Sequence, residues 1–256
     1  MKHNLTLIIT LIALIVSAYF FHGTSFFIFV FFLIILICLL IVASGVFFIQ
    51  MNYFVKSINK GVKKGIAITF DDGPDPKITP QILDILAHEK IKATFFVIGH
   101  KIKGQDALLQ RAYKEGHVIG NHSFSHNKRL TILSSNNLKK DINNCSAVIE
   151  KVIHQKIFFF RPPFGVTNPR YSRALKHLNI KSIGWSARSF DTIASDKAAL
   201  YKKIIKKIKK GSIVLLHDTE KITLDILPDL IQFCKDNGIN IISLPELIEE
   251  KAYKSG

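Results

Sequence analysis

The chain has 256 residues, 48% of them hydrophobic, and a formal charge of +16 from 35 Lys+Arg against 19 Asp+Glu. No Asp, Glu, Lys or Arg occurs between His3 and Val55, so residues 56–256 hold every acidic residue and a formal 34 − 19 = +15. That partition excludes intrinsic disorder, a disulfide-stapled mini-protein and an ordinary cytosolic globule.

Residues 5–21 form an apolar run of 17, His22-Gly23-Thr24-Ser25 interrupts it, and residues 26–49 continue for 24 more. At about 1.5 Å per residue the two together exceed a hydrocarbon core of about 30 Å. A hairpin of two membrane-spanning helices turning at Gly23 accommodates them, with Tyr19 and Tyr53 expected at the membrane interfaces. A cleaved signal peptide is the rival, but the run is long, only Lys2 precedes it, and no A-x-A site follows. Lys2 before the first span and Lys56, Lys60, Lys63 and Lys64 after the second place both ends on the cytoplasmic side. Residues 1–55 are therefore expected to be a multi-pass membrane anchor, 56–64 a basic juxtamembrane linker, and 65–256 one soluble domain. Cys38 falls within a span, and Cys145 and Cys234 fit no metal or redox spacing, so all three are expected as free thiols.

From residue 66 onward, short runs rich in Ile, Val and Phe alternate with amphipathic segments. The runs cover 66–70, 93–99, 117–120, 157–160, 181–185, 212–216 and 239–244; they are too short for helices and read as buried strands. Thr79-Pro80 opens a helix with Pro at its first position, and Ile82, Leu83, Ile85 and Leu86 form its apolar face. Further helices are predicted over 106–115, 137–153, 169–177, 197–209 and 224–235. This alternation implies an α/β domain with a parallel sheet, open or closed into a barrel.

The chemically capable residues come directly after predicted strands, where a parallel barrel builds its sites. Asp71-Asp72 ends the first strand in Thr69-Phe70-Asp71-Asp72-Gly73-Pro74. Two adjacent carboxylates repel, and a divalent cation on one with an Arg on the other would offset that; a plain Asp-Gly-Pro turn is the bland alternative. His122 and His126 are spaced i, i+4 and would share one face of a helical turn, the spacing of a two-His metal edge. With ten histidines in the chain, coincidence is the alternative. Arg161 opens the rigid Arg161-Pro162-Pro163-Phe164-Gly165 loop and could grip a carboxylate through a forked pair, or stand exposed at a turn. His217-Asp218 closes an apolar strand, as a tunable acid or as a satisfied core histidine.

TFDDG at 69–73, HSFSH at 122–126, RPPFG at 161–165 and LLHD at 215–218, in this order, resemble the polysaccharide deacetylase family with its NodB homology domain, carbohydrate esterase family 4. The resemblance covers residues 65–245. It implies a distorted (β/α) barrel, preceded here by the helical hairpin, and metal-dependent removal of N- or O-acetyl groups from sugars. It makes Asp72, His122 and His126 the metal ligands, Asp71 the general base and His217 the general acid. Arg161 would orient Asp71, the backbone N–H of Phe164 would help bind the oxyanion, and Leu215 would line the pocket for the acetyl methyl. The fourth family motif, usually DxxDW, reads Arg188-Ser189-Phe190-Asp191-Thr192, so only Asp191 matches, as the partner of His217. The lost tryptophan opens one groove wall, and the first Asp has become Arg188.

Two nitrogens and one oxygen suit zinc by default, with Co, Ni, Mn or Fe also accepted. The implied partners are an acetylated glycan or a lipid-linked sugar, and the membrane. A cytoplasmic domain favours a lipid-linked or nucleotide-borne precursor, whereas family habit favours the outside. Lys202, Lys203, Lys206, Lys207, Lys209 and Lys210 read as a solvated helix face, with no aromatic interleaving for nucleic acid. A catalytically dead sugar-binding module, or a module for anionic surfaces, is the alternative from another class.

Overall fold

The computed structural model describes residues 2–254. Two long apolar helices come first, α1 (Lys2–Phe21) and α2 (Ser25–Phe47), joined by a turn at Gly23 and capped by Thr24, whose hydroxyl accepts the Phe27 N–H. They pack side by side, and the Lys2 ammonium reaches the Met51 carbonyl at 2.6 Å, so both outer ends meet at the domain. At 20 and 23 residues both are long and apolar enough to cross a membrane.

The hairpin is docked onto the α/β domain. Thr167 donates its N–H to the Val46 carbonyl at 3.0 Å and its hydroxyl to Gly45, and Gln50 donates to the Trp185 carbonyl at 3.1 Å. A Cβ on Gly45 would sit 2.2 Å from the Tyr53 ring, so only glycine permits this approach. Tyr53, expected at a membrane interface, is instead buried against that glycine and beside Phe54.

Among the described residues, eight parallel strands form one curled, open sheet in the order β1-β6-β5-β4-β3-β2-β8-β7. They are β1 (Ser57–Ile58), β2 (Ile66–Asp71), β3 (Thr94–Val97), β4 (Val118–Asn121), β5 (Phe159–Phe160), β6 (Lys181–Ile183), β7 (Ala187–Arg188) and β8 (Ser212–His217). Helices α3 (Ile78–His88), α4 (Asp106–Lys114), α5 (Ser135–Ile153), α6 (Pro169–Leu178), α7 (Lys197–Ile205), α8 (Lys221–Asp236) and α9 (Leu244–Ile248) complete the fold. This is the distorted (β/α) barrel that the motifs implied.

Several elements differ from the sequence expectation, among them β7 and α9, for which no strand or helix was expected. The stretch read as a linker supplies β1, which pairs with β6 through Ser57 and Ile58. Residues 239–244 are not a strand; Ile241 makes one bridge to Ile66, and Ser243 then caps α9 through the Glu246 N–H. Their apolar character comes from packing: Ile239 and Ile241 pack against the core under the helices, while Ile242 and Leu244 join Leu247 and Ile248 in the inner cluster beside Ala67, Phe96, Phe159 and Ile213. Helix α7 ends at Ile205, four residues before its predicted end, and the lysines beyond it leave the helical face.

The outer face of the sheet packs Ile68, Phe70, Phe95, Val214 and Leu216 under α3, α4, α5, α7 and α8. Each such fully buried Ile, Leu or Phe contributes roughly 1.5–3 kcal/mol of transfer free energy. This core fixes strand register, and register brings the polar strand ends together.

Candidate active site

Strand β2 ends at Asp71, which is in register with His217 on β8 and with Phe96 on β3. Asn121 ends β4 opposite Phe160 of β5, so His122 and Arg161 leave the sheet as neighbours at the same rim. The chain then turns sharply. Asp72 has φ 74°, a left-handed conformation costing about 1–3 kcal/mol in a non-glycine residue, which aims its carboxylate inward beside Asp71. Gly73 is needed next, because a Cβ there would lie 2.1 Å from Asp218 Oδ2.

HSFSH is not the helical turn expected. Ser123 and His126 both have positive φ, at 70° and 45°, so the segment is a tight loop. Asp141 on α5 holds it, accepting the Phe124 N–H at 2.9 Å and the Ser125 N–H at 3.2 Å, while Asn121 accepts the Ser123 N–H. The loop still delivers both imidazoles to one place, with ring centroids 4.8 Å apart.

Asp72 Oδ1 lies 3.4 Å from His122 Nε2 and 3.2 Å from His126 Nε2, and the three ligand atoms fall within 4.8 Å of one another. His122 Nδ1 is 2.8 Å from the Arg161 carbonyl, which can only accept, so Nδ1 holds a proton and Nε2 is the ring atom turned toward Asp72. Asp72 Oδ1 is buried with no hydrogen-bond partner. Burial holds His126 down to about 4, keeping it neutral and able to donate its lone pair. Burial also opposes charge on His122 and on Asp72, but each is outweighed by the other: Asp71 and Asp72 raise His122, and His122 with His126 and His217 keeps Asp72 well below the usual carboxylate range. An orphaned carboxylate oxygen facing the Nε2 atoms of two imidazoles fits a divalent cation.

Arg161 is fully buried, its guanidinium 4.1 Å from the Phe96 ring centroid. It does not grip Asp71 as a fork. One NH1 donates to Asp71 Oδ1 at 2.7 Å and to Thr69 Oγ1, NH2 donates to the Gly184 carbonyl, and Nε to that of Ile183. The bonds of NH2 and Nε to the strand ends lock the arginine and leave Asp71 Oδ2 facing the cavity side, 3.7 Å from His122.

His217 is bound by Asp191 twice: Nδ1 lies 2.7 Å from Oδ1, and the backbone N–H donates to Oδ2 at 2.7 Å. Ser189 and Thr223 donate their hydroxyls to the same carboxylate. Burial opposes charge on His217, but the Asp191 hydrogen bond and charge outweigh it and raise its pKa to about 9.

Asp71, Asp72, His122, His126, Phe164, Leu215 and His217 line one cavity of about 240 Å³, with Arg161 behind Asp71 and Asp191 behind His217. All nine expected residues are thus gathered. Phe164 has φ 60° and lays its ring 4.8 Å from that of His126. Trp185, Arg188 and Thr192 also line the cavity. Sequence reasoning missed Asp141, Asn121 and Thr223, which act through backbone and carboxylate contacts that no spacing reveals. Asp218, behind Gly73, is buried, Thr79 donates its hydroxyl to its carboxylate, and burial raises it to about 7.

Known proteins resemble this chain in sequence and in fold. The polysaccharide deacetylase family profile matches residues 59–183. A peptidoglycan-N-acetylglucosamine deacetylase of Bacillus cereus is 35% identical over 198 residues, covering 74% of this chain and 90% of the relative. The peptidoglycan-N-acetylmuramic acid deacetylase PdaA of Bacillus subtilis is 33% identical, covering 75% and 74%. The crystal structure of the Bc1960 peptidoglycan N-acetylglucosamine deacetylase superposes with a TM-score of 0.74 at 27% identity, covering 77% of this chain and 95% of that one. With these relatives, this fold and the four ordered motifs gathered at one rim, the chain belongs to the polysaccharide deacetylase family.

Proposed function

We propose that the chain is a membrane-anchored, divalent-metal-dependent deacetylase that hydrolyses the acetamide of an amino-sugar glycan of the peptidoglycan type, releasing acetate. The hydrolase class, acting on a carbohydrate amide, follows from the family; the metal, the anchor and the roles of single residues are our reading. One observation supports it above the rest: the Asp72, His122 and His126 donor set shares a cavity with Asp71, held by Arg161, and His217, held by Asp191.

A cation bound by Asp72, His122 and His126, zinc by default, would polarise the acetyl carbonyl and make a nearby water more acidic. Asp71 then serves as the general base, because Arg161 fixes one of its oxygens and leaves the other toward the cavity. Leu215 walls the space for the acetyl methyl, and the Phe164 backbone N–H donates to the developing oxyanion. His217, protonated at neutral pH, delivers its proton to the departing amine. The same residues would hydrolyse an O-acetyl ester. A dead sugar-binding module is disfavoured because every position that this chemistry needs is filled.

The test is acetate release from an N-acetylated chitooligosaccharide and from peptidoglycan fragments by the detergent-solubilised full chain, before and after chelation. Release that stops on chelation and returns with added zinc is expected. Sugar binding without acetate release at any metal loading would favour the binding module.

A further inference from the structure

Beside the catalytic residues lies a cluster of cations that this chemistry does not use. Arg188 lines the same cavity as Asp71, Asp72 and His217. Its guanidinium stands between two rings, 4.7 Å from Phe190 and 5.7 Å from Trp185, and its Nε is buried without a hydrogen-bond partner. Lys203 lies 4.1 Å and Lys207 4.7 Å from the same Phe190 ring, and the Lys207 ammonium donates to the Arg188 carbonyl at 2.9 Å. Phe190 has φ 66°, a conformation bulky residues rarely accept.

Among the described residues none of the three cations makes an ion pair. The nearest carboxylate in sequence, Asp191, is engaged by His217, Ser189, Thr192 and Thr223. Partial burial and the charges of Lys203 and Arg188 push Lys207 below the ordinary lysine range, as expected of cations crowded together without an anion. Three positive groups held around one ring repel one another, and an anion arriving from the cavity relieves that repulsion.

We propose that Arg188, supported by Lys203 and Lys207, recognises an anionic oxygen group carried on the sugar next to its acetamido group. Two ring carbons adjoin the carbon bearing the acetamide, and either can carry such a group: a lactyl ether with its carboxylate, as on muramic acid, or an anomeric phosphate, as on a lipid- or nucleotide-borne sugar. The planar guanidinium, stacked between rings, is preorganised for a two-oxygen anion. This inference rests on the deacetylase reading for its substrate orientation.

The experiment uses two matched pairs of ligands: an N-acetylmuramic acid glycoside against its lactyl methyl ester, and N-acetylglucosamine 1-phosphate against methyl N-acetylglucosaminide. For each pair, the ratio of kcat/KM and the ratio of Kd by calorimetry are measured on the zinc-loaded full chain and on Arg188→Ala, Arg188→Lys and Lys203→Ala/Lys207→Ala. In the wild type the anionic member of one pair should lead by roughly tenfold or more, a single charge-assisted contact. The pair that shows the advantage identifies the carboxylate or the phosphate as the source. Arg188→Ala should bring that ratio to about one, Arg188→Lys should keep part of it, and added salt should erode it. Ratios near one in the wild type, or a wild-type advantage unchanged in Arg188→Ala, would overturn the proposal. If no ligand releases acetate but the Kd ratios behave as stated, the deacetylase reading fails and the anion site stands.

Discussion

Asp191 accepts from both the side chain and the backbone N–H of His217, each at 2.7 Å, so one carboxylate fixes the ring and its charge together. The pair should therefore show in the pH profile. His217 is raised to about 9, so an acid role survives through neutrality and fails on the alkaline side. Asp191→Asn removes the charge and should move the alkaline limb of kcat/KM down by about a unit or more. A limb that stays in place would mean that His217 is not the titrating acid.

The same shift bears on stability. A histidine raised from 6.5 to about 9 favours the folded state fully below pH 6.5, and that contribution is lost as pH rises through 9. Thermal unfolding of the wild type should thus show a loss of Tm between those limits, and the loss should shrink in Asp191→Asn.

Arg161 should be as much a structural as a chemical residue. It is wholly buried, and its guanidinium ties Asp71 and Thr69 to the carbonyls of Ile183 and Gly184 across the barrel. Arg161→Met leaves the Asp71 carboxylate buried without its cation, at a cost of about 3–5 kcal/mol. Denaturant unfolding should register that loss. Arg161→Lys should recover part of the stability but less of the activity, since an ammonium cannot reach all four partners at once.

How far this site could be read from the sequence differs from residue to residue. Asp71, His122, Arg161 and His217 were legible because each sits at or just past the end of an apolar run, and parallel register places such ends together. Strands β1 and β7, two residues each, carry no period at all. The approach of His122 and His126 was expected from helical spacing, yet it arises from two left-handed residues held by Asp141, a long-range contact no local pattern encodes. Residues 239–244 read as a strand because apolar side chains packed against a core look the same whichever backbone presents them.

The flanking lysines make a prediction about topology. Lys2 and the Met51 carbonyl meet at the outer ends of α1 and α2, so both termini of the hairpin face one side. With Lys56, Lys60, Lys63 and Lys64 just beyond, that side is expected to be cytoplasmic. An alkaline phosphatase fused after Gly256 should be inactive in a host with a periplasm, and a green fluorescent fusion at the same point should be bright. The reverse pattern would place the domain outside, facing finished glycan.

The adjacent carboxylates should fail in different ways. Asp72 alone of the two points an unpartnered oxygen at both imidazoles, whereas Asp71 gives one oxygen to Arg161. Asp72→Ala should therefore lose bound metal and activity together, since two nitrogens remain of a three-ligand set. Asp71→Asn keeps that set and its size, so it should retain metal while kcat falls on the order of 10²-fold or more with the base removed. Metal content by elemental analysis and acetate by a coupled assay, both on the detergent-solubilised full chain, separate the two cases. Metal kept by Asp72→Ala and lost from Asp71→Asn would exchange the roles. Undiminished kcat in Asp71→Asn would remove proton transfer from that residue, and the base would have to be sought among the remaining groups of the cavity wall.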